Sequence, residues 1–281
     1  MVGAHGGQRT RRSEDVIRLS CASLSFDGFG DEDFVHTFAK VRDAGYRHLE
    51  FNCWYPRTLT PAKTRDLGER CAQAEVSVGS IHVSSFGGEG SHGLTKDLCH
   101  KLRAIEAVKE LGGSVVCATG AGRGKDGGCD AIIAVLKELM PAAEESGVLI
   151  SLENHAANNL ENLDDYRRIF DAVDSPALGI CMDTGHFEAA SVSLDDLIDE
   201  FWTKINHVHL KENRSFGVKE FVRFGEGTTD NAAAVERMID KGYSGYLVIE
   251  LSPEIGAVDG RPFTIDDLKK PYEMFVGYES E

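Results

Sequence analysis

The chain has 281 residues, 42% of them hydrophobic, which is enough to bury one full core and is an ordinary length for a single α/β barrel. Its net charge of -16, from 46 acidic against 30 basic residues, would repel phosphate backbones and anionic lipid. We therefore expect neither nucleic acid nor a membrane as a partner, and we find no apolar run of membrane-spanning length and no signal-peptide pattern.

The cysteine pattern bears on the compartment. Seven cysteines are scattered along the chain without a CxxC pair, which predicts neither a disulfide framework nor a thiolate zinc site. A reducing compartment fits them, so we expect cytoplasmic localisation. We also expect residues 1–15, which are rich in Gly and Arg, to form a flexible tail, and residues 16–281 to form the catalytic domain.

Apolar strand-like segments alternate with helical patterns along the whole chain, which favours βα units around a parallel sheet. Caps precede several helices: Thr60 stands before a proline, and Asn162 and Ser193 each stand three residues before an Asp. Strands this apolar tolerate solvent on neither face, so a single closed (β/α)8 TIM barrel is favoured over an open sheet. The eight predicted strands are 16–25, 47–53, 77–85, 114–119, 148–153, 178–183, 205–211 and 246–251.

A competing motif lies in the fourth unit. The segment 122–127 reads Gly-Arg-Gly-Lys-Asp-Gly between a strand and a helix, with Glu153 somewhat beyond the usual distance of a ribose-binding acid. A dinucleotide site is conceivable there. A flexible loop over the barrel mouth is the simpler interpretation, because the motif does not open the first unit. Arg123 and Lys125 could still meet an anionic substrate from it.

Four predicted strands end in a polar side chain that can bind a metal. These are Glu153, Asp183, His209 and Glu250. In a (β/α)8 barrel the carboxyl ends of the strands face one cavity, so these residues should converge. Any one of them alone could be a cap or a salt-bridge partner. Together, three carboxylates and one imidazole predict a site for Mn²⁺, or for Mg²⁺, Co²⁺ or Zn²⁺.

Other side chains should surround that cavity. Residues two apart on a strand share a face, so Lys211 should point with His209, and His155 with Glu153. Glu50 and Arg57 are expected at the rim, and Trp54 could line the rim or simply pack. The expected substrate contacts are His82, His186, Lys211, Trp54 and His155.

Such a site suits proton abstraction from a carbon next to a carbonyl. A metal that holds two neighbouring substrate oxygens would stabilise the enediolate, and a carboxylate on each side could remove and return the proton. We assign that pair to Glu153 and Glu250, which come from the fifth and eighth predicted strands.

The chain resembles the xylose isomerase-like TIM barrels known as sugar phosphate isomerases/epimerases, a superfamily that includes ketose 3-epimerases, inosose isomerases and dehydratases, and endonuclease IV. The segments that carry the resemblance are Leu152–His155, Met182–His186, His207–Lys211, and Gly242–Tyr246 leading to Glu250. The resemblance implies that Glu153, Asp183, His209 and Glu250 bind the metal and that His186 contacts substrate. Arg214 stands near the position of a substrate arginine in ketose 3-epimerases, with a spacing that differs by one residue.

The family leaves several activities open. The leading expectation is an isomerase or epimerase of a ketose, keto-inositol or sugar phosphate. A dehydratase or C-glycoside-cleaving lyase shares the first half of that mechanism. A nuclease is disfavoured by the acidic charge and by a fourth strand that ends Cys117-Ala118-Thr119-Gly120 without a ligand. A non-catalytic subunit is disfavoured by the complete ligand set, and a homo-oligomer, dimer or tetramer, is expected from the family.

Overall fold

The computed structural model describes residues 16–29, 32–255, 260–261 and 263–280, and the tail predicted over 1–15 lies outside these ranges. Its barrel strands are β1 (Ile17–Ala22), β2 (His48–Cys53), β3 (Ser77–Phe86), β4 (Val115–Gly120), β5 (Leu149–Glu153), β6 (Leu178–Asp183), β7 (Ile205–Leu210) and β10 (Gly245–Ile249). They close in the order β1-β10-β7-β6-β5-β4-β3-β2, and every pair is parallel. The predicted (β/α)8 barrel is confirmed.

Helices connect successive strands and form the outer layer. They are α1 (Leu24–Asp27), α2 (Val35–Ala44), α3 (Pro61–Ala74), α4 (Gly90–Glu110), α5 (Gly128–Ser146), α6 (Leu163–Ala172), α7 (Thr184–Ala189), α8 (Leu194–Phe201), α9 (Asn231–Lys241) and α10 (Ile265–Phe275). The predicted caps are present, since Thr60, Asn162 and Ser193 each accept a main-chain N–H of the first turn. No helix in the described ranges has the length and apolar character needed to cross a bilayer.

The register of the parallel strands sets the level of the polar strand ends. Asp183 pairs with His209 across β6 and β7, and Thr119 pairs with Glu153 across β4 and β5. Below this level the strands are packed with buried Val, Ile, Leu and Phe side chains. The apolar interior therefore carries a polar layer at its carboxyl end, as barrel enzymes do.

Several features at that end depart from the predicted pattern. The first strand ends at Ala22, three residues before the predicted end, because Leu24–Asp27 forms the helix α1. A small antiparallel hairpin, β8 (Glu212–Asn213) with β9 (Phe221–Val222), follows β7. The third strand continues to Phe86, one residue beyond the predicted end. The end of the third strand contributes Ser84 and Ser85 to the wall of the barrel mouth.

Candidate metal and active site

Four side chains converge at the carboxyl end of the barrel. Glu153 ends β5, Asp183 ends β6, His209 lies on β7, and Glu250 directly follows β10. All four residues are buried, and one donor atom from each lies within 4.8 Å of the others. The structure thus brings together the four residues that the sequence assigns to the metal.

His209 touches acids through both of its ring nitrogens. Its Nδ1 lies 2.7 Å from Glu153 Oε1 and 3.0 Å from Glu250 Oε2. Its Nε2 lies 3.1 Å from Oε1 of Glu50 on β2. When Nε2–H donates to Glu50, the lone pair of Nδ1 faces two carboxylate oxygens. A proton or a cation must then lie between these atoms.

The acids of the cluster are costly to bury without a cation. Burial raises the pKa of Asp183 to about 6, because Lys211 offsets only part of the lost hydration. Burial also opposes ionisation of Glu250, but Lys211 and His209 together lower the pKa of Glu250 to about 2. Carboxylates with one imidazole are a suitable donor set for a divalent cation, so these residues fit the expected metal.

Lys211, two residues beyond His209, bridges two of the acids. Its Nζ lies 2.9 Å from Asp183 Oδ2 and 2.6 Å from Glu250 Oε1. Its stem passes Gly185, where a Cβ would come within 2.9 Å of Lys211 Cγ. Glycine at position 185 therefore leaves the room that Lys211 needs to reach the cluster.

Two further histidines contact Glu153, and another stacks on one of them. His82 Nε2 lies 2.9 Å and His155 Nε2 lies 3.3 Å from Glu153 Oε2. His186, buried on α7, stacks on His155 with the ring centroids 3.6 Å apart. Burial, reinforced by His155 and Lys211, lowers the pKa of His186 well below its usual value. The His186 imidazole is therefore neutral near pH 7.

A cavity of about 510 Å³ opens over the cluster, a size typical of small-molecule sites. The indole of Trp54 closes one side, with its ring 5.0 Å from that of His82. Of the residues assigned to the site from the sequence, those that line this cavity are Trp54, His82, Glu153, His155, His186, Lys211 and Glu250. Asp183 and His209 are fully buried at its base.

Two arginines expected near the mouth bond elsewhere. Arg214 lies in the β8–β9 hairpin and donates to Glu220 Oε1 at 3.2 Å and to the Glu226 carbonyl at 3.0 Å. Arg57 pairs with Glu32 and lies 3.9 Å from the ring centroid of Tyr55. Neither arginine is among the described residues that line the cavity.

Glu50 does not lie at the rim, which corrects the expectation from the sequence. It is fully buried within β2, where it accepts from Ser80 Oγ at 2.8 Å and lies 2.9 Å from His207 Nε2. Sequence reasoning missed its role as the partner of His209. The signal was an acid in the middle of the apolar strand Leu49-Glu50-Phe51, since a buried acid needs hydrogen-bond donors around it.

The glycine-rich segment 122–127 packs on the connection between β5 and α6. Asn159 accepts from Gly124 N–H at 2.7 Å and donates to the Lys125 carbonyl at 2.9 Å. Arg123 forms ion pairs with Glu161 and Asp165. Protein groups thus occupy the Gly124 N–H and the Arg123 guanidinium. Gly122 contributes to the cavity wall.

Comparisons with solved structures agree with this architecture. A 3-keto-D-glucoside 4-epimerase from E. coli gives a TM-score of 0.73 at 18% identity, over 93% of this chain and 99% of that chain. A D-allulose 3-epimerase from Methylomonas sp. gives 0.77 at 17% identity, over 94% and 97%. An IOLI protein with a binding zinc atom gives 0.73 at 21% identity, over 94% and 100%. At these identities the likeness shows the fold.

Curated relatives and a family model complete the comparison. An inosose dehydratase from Yersinia enterocolitica is 27% identical over 132 residues, which cover 40% of this chain and 44% of that protein. The chain thus matches less than half the length of these relatives. The named relatives and structural neighbours, which are inosose dehydratases and sugar epimerases, are enzymes. The family model of the xylose isomerase-like TIM barrel matches residues 38–266. The chain belongs to the xylose isomerase-like TIM barrel family.

Proposed function

We propose that the protein is a divalent-metal-dependent isomerase or epimerase of a small polyhydroxy ketone, such as a ketose, a keto-inositol or a sugar phosphate. One observation carries this proposal. Glu153 and Glu250 approach the same nitrogen of His209, at 2.7 and 3.0 Å, in a cluster with Asp183 beneath a cavity of about 510 Å³. The sugar epimerases among the structural neighbours support it.

Glu153, Asp183, His209 and Glu250 would hold the ion, for which Mn²⁺ is our first candidate. When bound, the ion would draw electron density from two adjacent substrate oxygens and acidify the neighbouring C–H bond. The zinc-bound IOLI neighbour supports a divalent cation in this fold.

The two glutamates act as the acid and the base. They come from β5 and from the end of β10, with β6 and β7 between them in the barrel. The ionised glutamate removes the proton from the carbon next to the carbonyl, and the other, in its protonated form, returns a proton from the opposite side. Lys211 contacts Glu250 and Asp183 and keeps these two side chains in place. His186 and His155 line the cavity and offer ring nitrogens to substrate hydroxyls.

A lyase is the second candidate. The same deprotonated substrate can expel a hydroxide or another group from the adjacent carbon instead of taking a proton back. The local match to inosose dehydratases favours this outcome for a keto-inositol substrate. The two activities share the first proton transfer and differ in the next step. The isomerase returns a proton to the substrate, whereas the lyase expels a group from the adjacent carbon.

Proton exchange with solvent tests the proposal. The Mn²⁺-loaded chain, incubated in D₂O with a panel of ketoses and keto-inositols, should place deuterium on one carbon next to a carbonyl. We expect Glu153→Gln and Glu250→Gln each to reduce this exchange by about 10²-fold or more, because each removes a proton carrier. NMR and mass spectrometry measure the exchange and also report whether water is lost.

Glu212→Gln is the matched control, because Glu212 is a buried acid beyond Lys211 that does not line the cavity. Its exchange rate should equal that of the wild-type chain. Absence of exchange on the whole panel, or equal losses in all three variants, would refute the assigned acid and base.

A further inference from the structure

A second cavity adjoins the active-site cavity. It has a volume of about 420 Å³ and shares Trp54, Tyr55, Ser84 and Ser85 with the first. Its remaining wall includes residues 87–89 and the beginning of α4. The space beside the reacting centre is therefore much larger than a single sugar ring requires.

The wall that the two cavities share is held in place by a buried ion pair. Lys101, fully buried on α4, pairs with Asp97 at 2.7 Å and donates to the carbonyls of Ser84 at 2.7 Å and Ser85 at 3.1 Å. Asp97 also accepts from Gly87 N–H at 3.1 Å. These bonds fix the end of β3 and give the second cavity a preorganised wall, as a binding subsite needs.

His100 gives the second cavity a polar side chain with one ring nitrogen that forms no hydrogen bond among the described residues. The residue is only 5% exposed, its Nδ1 lies 3.1 Å from Ser84 Oγ, and its Nε2 has no hydrogen-bond partner in the described ranges. When the Ser84 hydroxyl donates to Nδ1, Nε2–H remains as a donor. Burial, with Lys101 and Lys96 nearby, lowers the pKa of His100 to about 4, so the ring is neutral near pH 7. A neutral donor suits an uncharged oxygen.

The charges around the second cavity argue against an anionic ligand. Asp97 is neutralised by Lys101, and of the other charged residues in the lining, Glu89 and Asp126 outnumber Lys96. A phosphate would therefore meet more acid than base.

Aromatic surface at the junction favours a sugar ring. Tyr55 is 46% exposed, and the Arg57 guanidinium lies 3.9 Å from its ring centroid, which limits its movement. A sugar ring has apolar faces and polar edges, and it can use an aromatic side chain together with hydroxyl and imidazole groups.

We infer that the substrate is a glycoside, a keto-sugar whose second sugar ring lies in the second cavity against Tyr55 and His100. This inference rests on the proposed function, which places the first ring over Glu153 and Glu250, and it narrows the substrate class. His100 is a specificity-determining residue for the second ring.

Binding of inert sugars tests the inference without turnover. Isothermal titration calorimetry of the full Mn²⁺-loaded chain compares one-ring probes, D-glucose and methyl α-D-glucoside, with two-ring probes, maltose and cellobiose. A further probe, 4-nitrophenyl glucoside, carries an aromatic ring in place of the second sugar. At least one two-ring probe should bind about tenfold more tightly, or better, since the second ring adds contacts. Equal affinities, undetectable binding of both two-ring probes, or a gain seen only with 4-nitrophenyl glucoside would overturn the assignment of a second sugar ring.

Substitutions in the second cavity test whether the tighter binding of two-ring probes arises there. His100→Leu should weaken two-ring binding about fivefold, as expected for one lost hydrogen bond, while His100→Gln, which keeps a donor, should restore most of it. Tyr55→Ala changes an exposed side chain and should also weaken two-ring binding more than one-ring binding. Phe216→Ala, which removes an aromatic residue that is 54% exposed on the hairpin, is the matched control and should change neither. Equal losses for both probe classes would contradict the subsite.

The outcome is separable from the proposed function, because none of these probes carries a free ketone. Tight two-ring binding without solvent exchange on any ketone would keep the subsite and remove the proposed chemistry. Solvent exchange on free ketoses, with no preference for two rings, would keep the chemistry and remove the subsite.

Discussion

The orientation of His209 is set by a carboxylate below the cluster. Glu50 lies 3.1 Å from His209 Nε2 and is itself bonded to Ser80 and His207, so its position is fixed on several sides. An acid on the far nitrogen of a ligating histidine fixes its tautomer and makes the near nitrogen a better ligand. Glu50 is thus a positioning residue for the proposed metal site.

Glu50→Gln should lower the affinity for Mn²⁺ by about 10- to 100-fold, because the neutral amide no longer polarises His209. Calorimetric titration of the metal-free chain measures this change. Ser80→Ala, which removes one bond to Glu50 and leaves the charge, is the control and should cost much less. An affinity for Mn²⁺ that is unchanged in Glu50→Gln would exclude the positioning role.

At the scale of elements, the joint between β3 and α4 depends on Lys101. The ammonium group is fully buried, and burial lowers its pKa although Asp97 opposes the shift. Its removal leaves Asp97 and two carbonyls without their donor. A lone buried charge is among the larger defects that one substitution can create.

Lys101→Met should therefore reduce the free energy of unfolding by about 3–5 kcal/mol, as measured by urea denaturation. Lys63→Met is a matched control, because Lys63 also pairs with an aspartate, Asp33 at 2.8 Å, but with half of its side chain exposed. The control should lose less than about 1 kcal/mol. Similar losses in both variants would contradict the role assigned to burial.

The elements also show how far the sequence could lead. Apolar runs that end in Glu153, Asp183 and Glu250 give their strand ends directly, because a buried parallel strand has a simple signature. The partners of Glu50 could not be predicted in this way, because its bond to Ser80 depends on the stagger of β2 against β3, which contains a register shift after Leu49. The hairpin that contains Arg214 is equally hidden, because its two strands have only two residues each.

At the scale of the whole molecule, barrel closure makes the site. Residues from β5, β6, β7 and β10, which are up to about a hundred positions apart in sequence, become neighbours at one end of the barrel. The predicted ligand cluster followed from this one inference about topology. The lining of the cavity followed less completely, because residues such as Tyr55 and Asn158 depend on loop conformations that periodicity does not encode.

The proposed chemistry requires that Glu153, Asp183, His209 and Glu250 form one divalent-metal site. Metal content tests it most directly: the chain is stripped with a chelator, titrated with Mn²⁺, passed through a desalting column and analysed by mass spectrometry. We predict about one ion per chain, lost in Asp183→Asn and retained in Glu212→Gln, because only the first removes a ligand charge. A chain that retains no ion when Mn²⁺, Mg²⁺, Co²⁺ or Zn²⁺ is supplied, or an Asp183→Asn variant that retains it fully, would contradict the proposed metal site.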